Sequence, residues 1–222
     1  MFGNNLKLKS EQGDGSVLKV TAIFKTLQGE GPYTGMPSVF IRLSGCNLAC
    51  TFCDTDFDEY IIYKLEDLVA EVIAQETTSG LKRLIVITGG EPLRQPIGPL
   101  CQQLIDHGFK VQLESNGLLY RNIPREVEIV CSPKNQGTGY KSIRPDILKH
   151  TIAIKFVISK NNLLYSDIAE VGQSEFGIPV YVQPMDEYDP VLNLQNQRKA
   201  ITISERTNSI FSLQLHKILN IE

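Results

Sequence analysis

The sequence predicts an α/β protein, an abbreviated and incomplete (βα) barrel with a mostly parallel sheet. Three observations carry that expectation. Short β-rich runs recur along the chain, each run ends in a polar, glycine-bearing stretch, and amphipathic helical patterns lie between the runs. Near-continuous apolar strands alternating with helices imply a parallel sheet covered by helices. At 222 residues the chain falls short of the roughly 250 typical of eight full βα units.

The elements follow in order. "VLKVTAIF" (17–24) runs into "KTLQGEG", and "SVFIRLS" (38–44) runs into a cysteine-rich loop. "LEDLVAEVIAQE" (65–76) places Leu65, Leu68, Val69, Val72 and Ile73 on one helical face with acids opposite. "RLIVIT" (83–88) ends at "GGEP". "IGPLCQQLIDHG" (97–108) sets Leu100, Leu104 and Ile105 on a face and closes on Gly108, a natural residue just past a helix end. "KVQLE" (110–114) ends at "SNG" and "VEIVC" (127–131) at "SPK". "IAIKFVI" (152–158) precedes a weaker helical pattern over 161–171, and "PVYVQ" (179–183) ends at "PMDEYD". A last helix is expected over 204–219, with Ser204 as its N-cap. The unusual residues gather just after the strands, the end at which α/β sheets build their sites.

Composition narrows the function. Apolar residues make up 42% and charged residues 21%, with a net charge of -3, which gives no support for a nucleic-acid or membrane-surface binder. No apolar run approaches the roughly 18 residues of a spanning helix. The opening residues lack the hydrophobic core of a signal peptide. Residues 1–15 are therefore expected as a flexible tail and 16–222 as a single domain in the cytoplasm, where thiols stay reduced.

"SGCNLACTFCDT" (44–55) crowds Cys46, Cys50 and Cys53 into a C-x3-C-x2-C pattern. One reading is a zinc module, with Cys131, His107, His150 or His216 folding in as the fourth ligand. The other is an iron–sulfur cluster, which normally takes four thiolates. With three thiolates, one iron keeps an open position for a substrate or cofactor, as catalytic zinc sites do. The second reading fits a loop at the presumed mouth with no mirroring cysteine pair. Glycines at "TGGEP" suit a ligand lying against the main chain, because they carry no Cβ. Cys101 reads as a small buried hydrophobe, Cys131 is not required as a ligand, and His216 reads as structural.

The C-x3-C-x2-C motif, the aromatic Phe52 before its third cysteine and the downstream "TGGEP" resemble radical S-adenosylmethionine (SAM) enzymes. In order along nearly the whole chain, "FKTLQGEG", the cysteine loop, "TGGEP", "ESNG", "CSPK", "KFV", "QPMD" and "SLQLHK" resemble the 7-carboxy-7-deazaguanine synthase family. The resemblance implies an incomplete barrel of the radical SAM type. It also implies a lyase turning 6-carboxy-5,6,7,8-tetrahydropterin into 7-carboxy-7-deazaguanine and ammonia, on the route to queuosine. Implied cofactors are a [4Fe–4S] cluster, SAM and Mg2+; implied partners are a one-electron reductase and a second copy in a homodimer.

Carried over residue by residue, Cys46, Cys50 and Cys53 hold the cluster. Phe52, Gly90, Glu114, Ser132, Pro133, Lys134, Gln183, Pro184, Met185 and Asp186 meet SAM. Leu27, Gln28, Gly29, Glu30 and Thr88 meet the pterin. Thr55 supplies an oxygen to Mg2+, a hard cation that keeps few protein ligands; Asp54 either tunes it or caps the next segment. No protein side chain is assigned the radical chemistry, and the C-terminal Glu222 is given no role. Arg42 is expected to grip the substrate carboxylate, because a charge within an apolar strand is costly unless paired and a guanidinium fork matches two carboxylate oxygens. Two rivals remain: a glycyl-radical activating enzyme, which would need a surface for a large protein, and the non-catalytic metal module.

Overall fold

The computed structural model describes residues 5–55, 57, 59–75 and 83–221; Asp56, Asp58, Glu76 and Glu222 lie outside them. Among the described residues nine strands form one sheet: β1 (Val17–Leu27), β2 (Pro37–Leu43), β3 (Ile61–Lys64), β4 (Leu84–Gly89), β5 (Lys110–Ser115), β6 (Glu128–Cys131), β7 (Thr151–Ile158), β8 (Val180–Pro184) and β9 (Ile210–Phe211). Their spatial order is β3-β1-β2-β4-β5-β6-β7-β8-β9, so the sheet stays open as expected. From β2 to β9 every pairing is parallel, while β1 runs antiparallel to both β2 and β3.

Burial explains why the central strands read as unbroken apolar runs. Leu84, Ile85, Val86 and Ile87 of β4 are all fully buried, because helices cover the sheet. The described residues accompany it with α-helices α1 (Leu65–Gln75), α2 (Gly98–Asp106), α3 (Pro145–Leu148), α4 (Gln173–Phe176), α5 (Pro190–Thr207) and α6 (Leu215–Leu219). On α1, Leu65, Leu68, Val69 and Val72 join the core, whereas Ile73, expected on that face, is exposed. On α2, Leu100, Cys101 and Leu104 are buried, and the chain leaves through Gly108 with φ 80.

Three stretches differ from the sequence expectation. Residues 161–171 form only a 3-10 turn at Leu163–Tyr165, and the α-helical turn comes later as α4. The single helix expected over 204–219 is two elements separated by β9. The 18-residue α5 starts at the Asp189 N-cap, whose carboxylate accepts from Val191 N and Leu192 N, and stops at Asn208 in the left-handed region. Ser204 lies inside it, with Oγ donating to Ser209 O at 2.6 Å. Finally, residues 5–15 are not a loose tail. Lys7 bridges to Cys46, Leu8 N donates to Cys46 O at 2.8 Å, and Glu11 pairs with the buried Arg94 at 2.8 Å. Among the described residues no helix is long and apolar enough to cross a membrane.

Candidate active site

The C-terminal ends of the parallel strands open into one cavity of about 360 Å³, within the range of small-ligand sites. At its centre, the loop leaving β2 and the turn leaving β4 are joined backbone to backbone. Gly90 N donates to Leu43 O at 3.1 Å and Glu91 N to Gly45 O at 3.0 Å. A Cβ on Gly90 would lie 2.1 Å from Gly45 O, so only glycine allows this approach. The Glu91 carboxylate, 1% exposed, accepts from Leu93 N, Ser115 Oγ and Asn116 N. Asn116 in turn donates to Asn47 Oδ1 at 2.7 Å. The "GGEP" turn thus welds the cysteine loop to β4 and β5.

Cys46, Cys50 and Cys53 are half-buried and line the cavity; Cys101 and Cys131 are fully buried and do not. Burial pushes the Cys46 thiol up to about 11, and burial also raises Cys53. Metal binding reverses that preference, since thiols coordinate as thiolates. Among the described residues no group of three or more His, Cys, Asp or Glu side chains is placed to hold a metal ion.

Leu27, Gln28, Gly29, Glu30, Arg42 and Thr88 line the cavity together with the thiols. Lys155 of β7, 4% exposed, makes ion pairs with Glu30 and, at 3.0 Å, with Glu114. Burial would raise the Glu30 carboxyl, yet Lys155 and Gln214 hold it down at about 2. Glu114 moves the other way: burial raises it, and the charge of Glu30 adds to that, against Lys155. Far from being a solvated strand end, Glu114 also accepts from Gln112 Nε2 at 2.7 Å. Arg42 lies over the Phe24 ring, 5.2 Å from its centroid, and makes no salt bridge among the described residues.

Phe52 packs edge-on against Tyr165 at 4.7 Å. Ser132, Lys134, Gln183, Pro184, Met185 and Asp186 also line the cavity, whereas Pro133 is buried and does not. Lys134 Nζ donates to Ser132 O and Oγ at 2.7 Å, which fixes the "SPK" turn. The Gln183 Oε1 atom is buried without a hydrogen-bond partner among the described residues, an acceptor waiting for a donor.

The sequence reading missed part of the wall. Lys155, Asn116, Gln214, His216 and Lys217 all face the cavity. Leu215 N donates to Gly29 O at 2.9 Å and Gln214 Nε2 to Glu30 Oε1 at 2.8 Å, docking α6 on the "LQGEG" loop. Lys217 pairs with Asp54 at 3.0 Å and Asp186 at 2.9 Å. Burial opposes its charge, but those two carboxylates keep its pKa above the ordinary value. His216, read as structural, closes against Gly29, and burial lowers its pKa. A charged residue inside the apolar "KFV" run was the available signal for Lys155.

A mostly parallel open sheet, with three cysteines and a glycine-turned strand end at its mouth, defines a radical SAM enzyme, and residues 40–156 match the Radical SAM superfamily. The chain is 52% identical over 225 residues to the 7-carboxy-7-deazaguanine synthase of Rickettsia prowazekii (strain Madrid E), covering 100% of this chain and 96% of that one. It is 37% identical over 242 residues to the 7-carboxy-7-deazaguanine synthase of Rhodospirillum rubrum, covering all of both chains. The crystal structure of QueE from Escherichia coli superposes with a TM-score of 0.70 at 27% identity, over 90% of this chain and 95% of that one. The chain belongs to the 7-carboxy-7-deazaguanine synthase family of radical SAM enzymes. Its cofactors accordingly include a [4Fe–4S] cluster and SAM.

Proposed function

We propose that this chain converts 6-carboxy-5,6,7,8-tetrahydropterin to 7-carboxy-7-deazaguanine with release of ammonia, and that the cavity at the strand ends is where it does so. The observation that carries the reading is the convergence of Cys46, Cys50, Cys53, Gly90, Gln28, Glu30 and Arg42 on one cavity. When bound, the cluster supplies an electron and SAM supplies the hydrogen-abstracting group. The residues present fit both: three cysteine thiols line the cavity and would hold the cluster, Gly90 bares its backbone, and Gln183 offers a buried acceptor without a partner among the described residues.

In this reading Cys46, Cys50 and Cys53 hold the cluster. Phe52, Gly90, Glu114, Ser132, Lys134, Gln183, Pro184, Met185 and Asp186 hold SAM, with Pro133 supporting the turn from behind. Leu27, Gln28, Gly29 and Thr88 frame the pterin. Glu30, kept ionised by Lys155, accepts from N–H groups of the pyrimidine edge. Arg42 presents parallel donors to the carboxylate, with its guanidinium held over the Phe24 ring. Thr55, beside the Lys217-paired Asp54, gives one oxygen to Mg2+. The α6 residues shield the reacting pterin from bulk water. A one-electron reductase and a homodimeric assembly complete the reading.

Single replacement of Cys46, Cys50 or Cys53 by Ala tests it. Each variant is expected to lose the visible absorption of the cluster and all SAM cleavage, while Cys101→Ser and Cys131→Ser keep both. Loss of the cluster in Cys131→Ser would overturn the assignment of an open iron.

A further inference from the structure

Helix α6 has no buried residue, and its Ile218 and Leu219 are 61% and 50% exposed, so it is not anchored through the core. Polar tethers to the cavity wall hold it instead. At its start, Gln214 Nε2 donates to Glu30 Oε1 at 2.8 Å and Leu215 N to Gly29 O at 2.9 Å. Further along, Lys217 Nζ reaches two other segments. It meets Asp54 Oδ2 at 3.0 Å, directly after the third cysteine, and Asp186 Oδ2 at 2.9 Å, just beyond β8. The same ammonium lies 5.1 Å from the centroid of the Tyr188 ring.

The two carboxylates differ in their own support. Asp186 is a fixed post: its Oδ1 accepts from Asn193 Nδ2 of α5 at 2.7 Å and from Tyr188 N at 2.9 Å, which leaves Oδ2 to Lys217. Asp54 is exposed, and among the described residues Lys217 is the cation that pairs with it. Asp54, Asp186, Gln214 and Lys217 all line the cavity. One ammonium thus joins the cysteine loop to the end of β8, on a helix already tied to the "LQGEG" loop. An element with few buried apolar contacts opens locally at low free-energy cost, so the closed position of α6 depends on these pairs. Without the ammonium, two carboxylates gathered at one point would repel.

We propose that Lys217 is a positioning residue that latches α6 against the cavity and clamps the cysteine loop to the end of β8, so that the pterin and SAM are enclosed together. The inference rests on the reading of this cavity as the site for both molecules. Lys217 takes no part in electron or hydrogen transfer; it acts through Asp54, Asp186 and the helix it carries. Releasing the latch frees α6 and weakens the hold on the carboxypterin.

The test compares the reconstituted full chain with Lys217→Met, which keeps the length and removes the charge, and Lys217→Arg, which keeps the charge and can face both carboxylates. Backbone hydrogen exchange read by mass spectrometry reports the latch, and KM and kcat for the carboxypterin report its consequence. With both partly exposed ion pairs lost, Lys217→Met is expected to exchange on the order of tenfold faster over residues 215–221, while β4 and β5 exchange as in the parent. Its KM is expected to rise about tenfold with kcat little changed, the signature of lost binding. Lys217→Arg is expected to restore both. Unchanged exchange at α6 in Lys217→Met overturns the latch. Faster exchange in β4 and β5 as well makes Lys217 a general structural contact and overturns it too, as does a Lys217→Arg variant no better than Lys217→Met. Faster exchange at α6 with an unchanged KM overturns the positioning role. A parent chain that cleaves SAM but leaves the carboxypterin unchanged fails the substrate reading instead, and the exchange measurement then still decides the latch.

Discussion

Lys155 and Arg42 are both cations on strands that face the cavity, and their surroundings assign them different work. Lys155 is enclosed between Glu30 and Glu114. Removing one partner from a buried ion pair typically costs about 3–5 kcal/mol, because the remaining charge is left uncompensated. Lys155→Met should lose stability on that scale at neutral pH. The pH response should also change. In the parent, the depressed Glu30 pKa of about 2 contributes stability that is present above the unfolded value of 4.5 and is lost as pH falls through about 2. In Lys155→Met both carboxyls shift above their unfolded values, so the folded state binds more protons near pH 5. The variant should therefore gain more stability than the parent on going from pH 7 to pH 5; thermal melts at the two pH values check this. Arg42 has no ion pair among the described residues and stacks on Phe24, so its fork is available to a ligand. Charge-assisted bonds contribute roughly 1.5–3 kcal/mol each, and about 1.4 kcal/mol is tenfold in affinity. Arg42→Lys should weaken carboxypterin binding about tenfold or more while leaving a pterin without the carboxylate unaffected. Equal weakening of both ligands would make Arg42 structural.

At the scale of elements, the junction between the loop after β2 and the turn after β4 is the tightest feature of the site. A Cβ on Gly90 would meet Gly45 O at 2.1 Å and Gly45 C at 2.4 Å, both backbone atoms that cannot swing away. Gly90→Ala should destabilise the fold by about 1–3 kcal/mol, the usual cost of overpacking, and should lower iron content by displacing Gly45 and Cys46; melting and iron analysis check this. Legibility also differed by element. β4 could be read because four successive residues are fully buried, and α1 and α2 because one face of each is. α5 was missed because only Asn196, Ala200 and Ile203 of its 18 residues are buried, leaving almost no periodicity. Its start was nonetheless written as Asp189–Pro190, an N-cap followed by proline at the first helical position. β9, with two residues, and β3, with both isoleucines exposed, bury too little to show as a pattern.

Across the whole molecule, parallel pairing from β2 to β9 collects loops distant in sequence at one mouth. That is why site residues spread from Leu27 to Asp186 line a single cavity. Local motifs located most of them: the cysteines, "LQGEG", the glycine turn, "SPK" and "QPMD". What the motifs did not reveal depends on tertiary closure. His216 and Lys217 reach the cavity only because α6 folds back on Gly29 and Glu30, and Leu8 and Asn5 meet Cys46 and Thr55 only in the folded chain. Pro133 shows the opposite error, a motif residue that supports the wall from behind. The most direct measurement is anaerobic turnover of 6-carboxy-5,6,7,8-tetrahydropterin by the reconstituted full chain with SAM, Mg2+ and a one-electron reductant, with products resolved by mass. The account predicts 7-carboxy-7-deazaguanine and ammonia in equal amounts, and neither product from Cys50→Ala. A chain that binds a four-iron cluster and cleaves SAM but leaves the carboxypterin unchanged would contradict it.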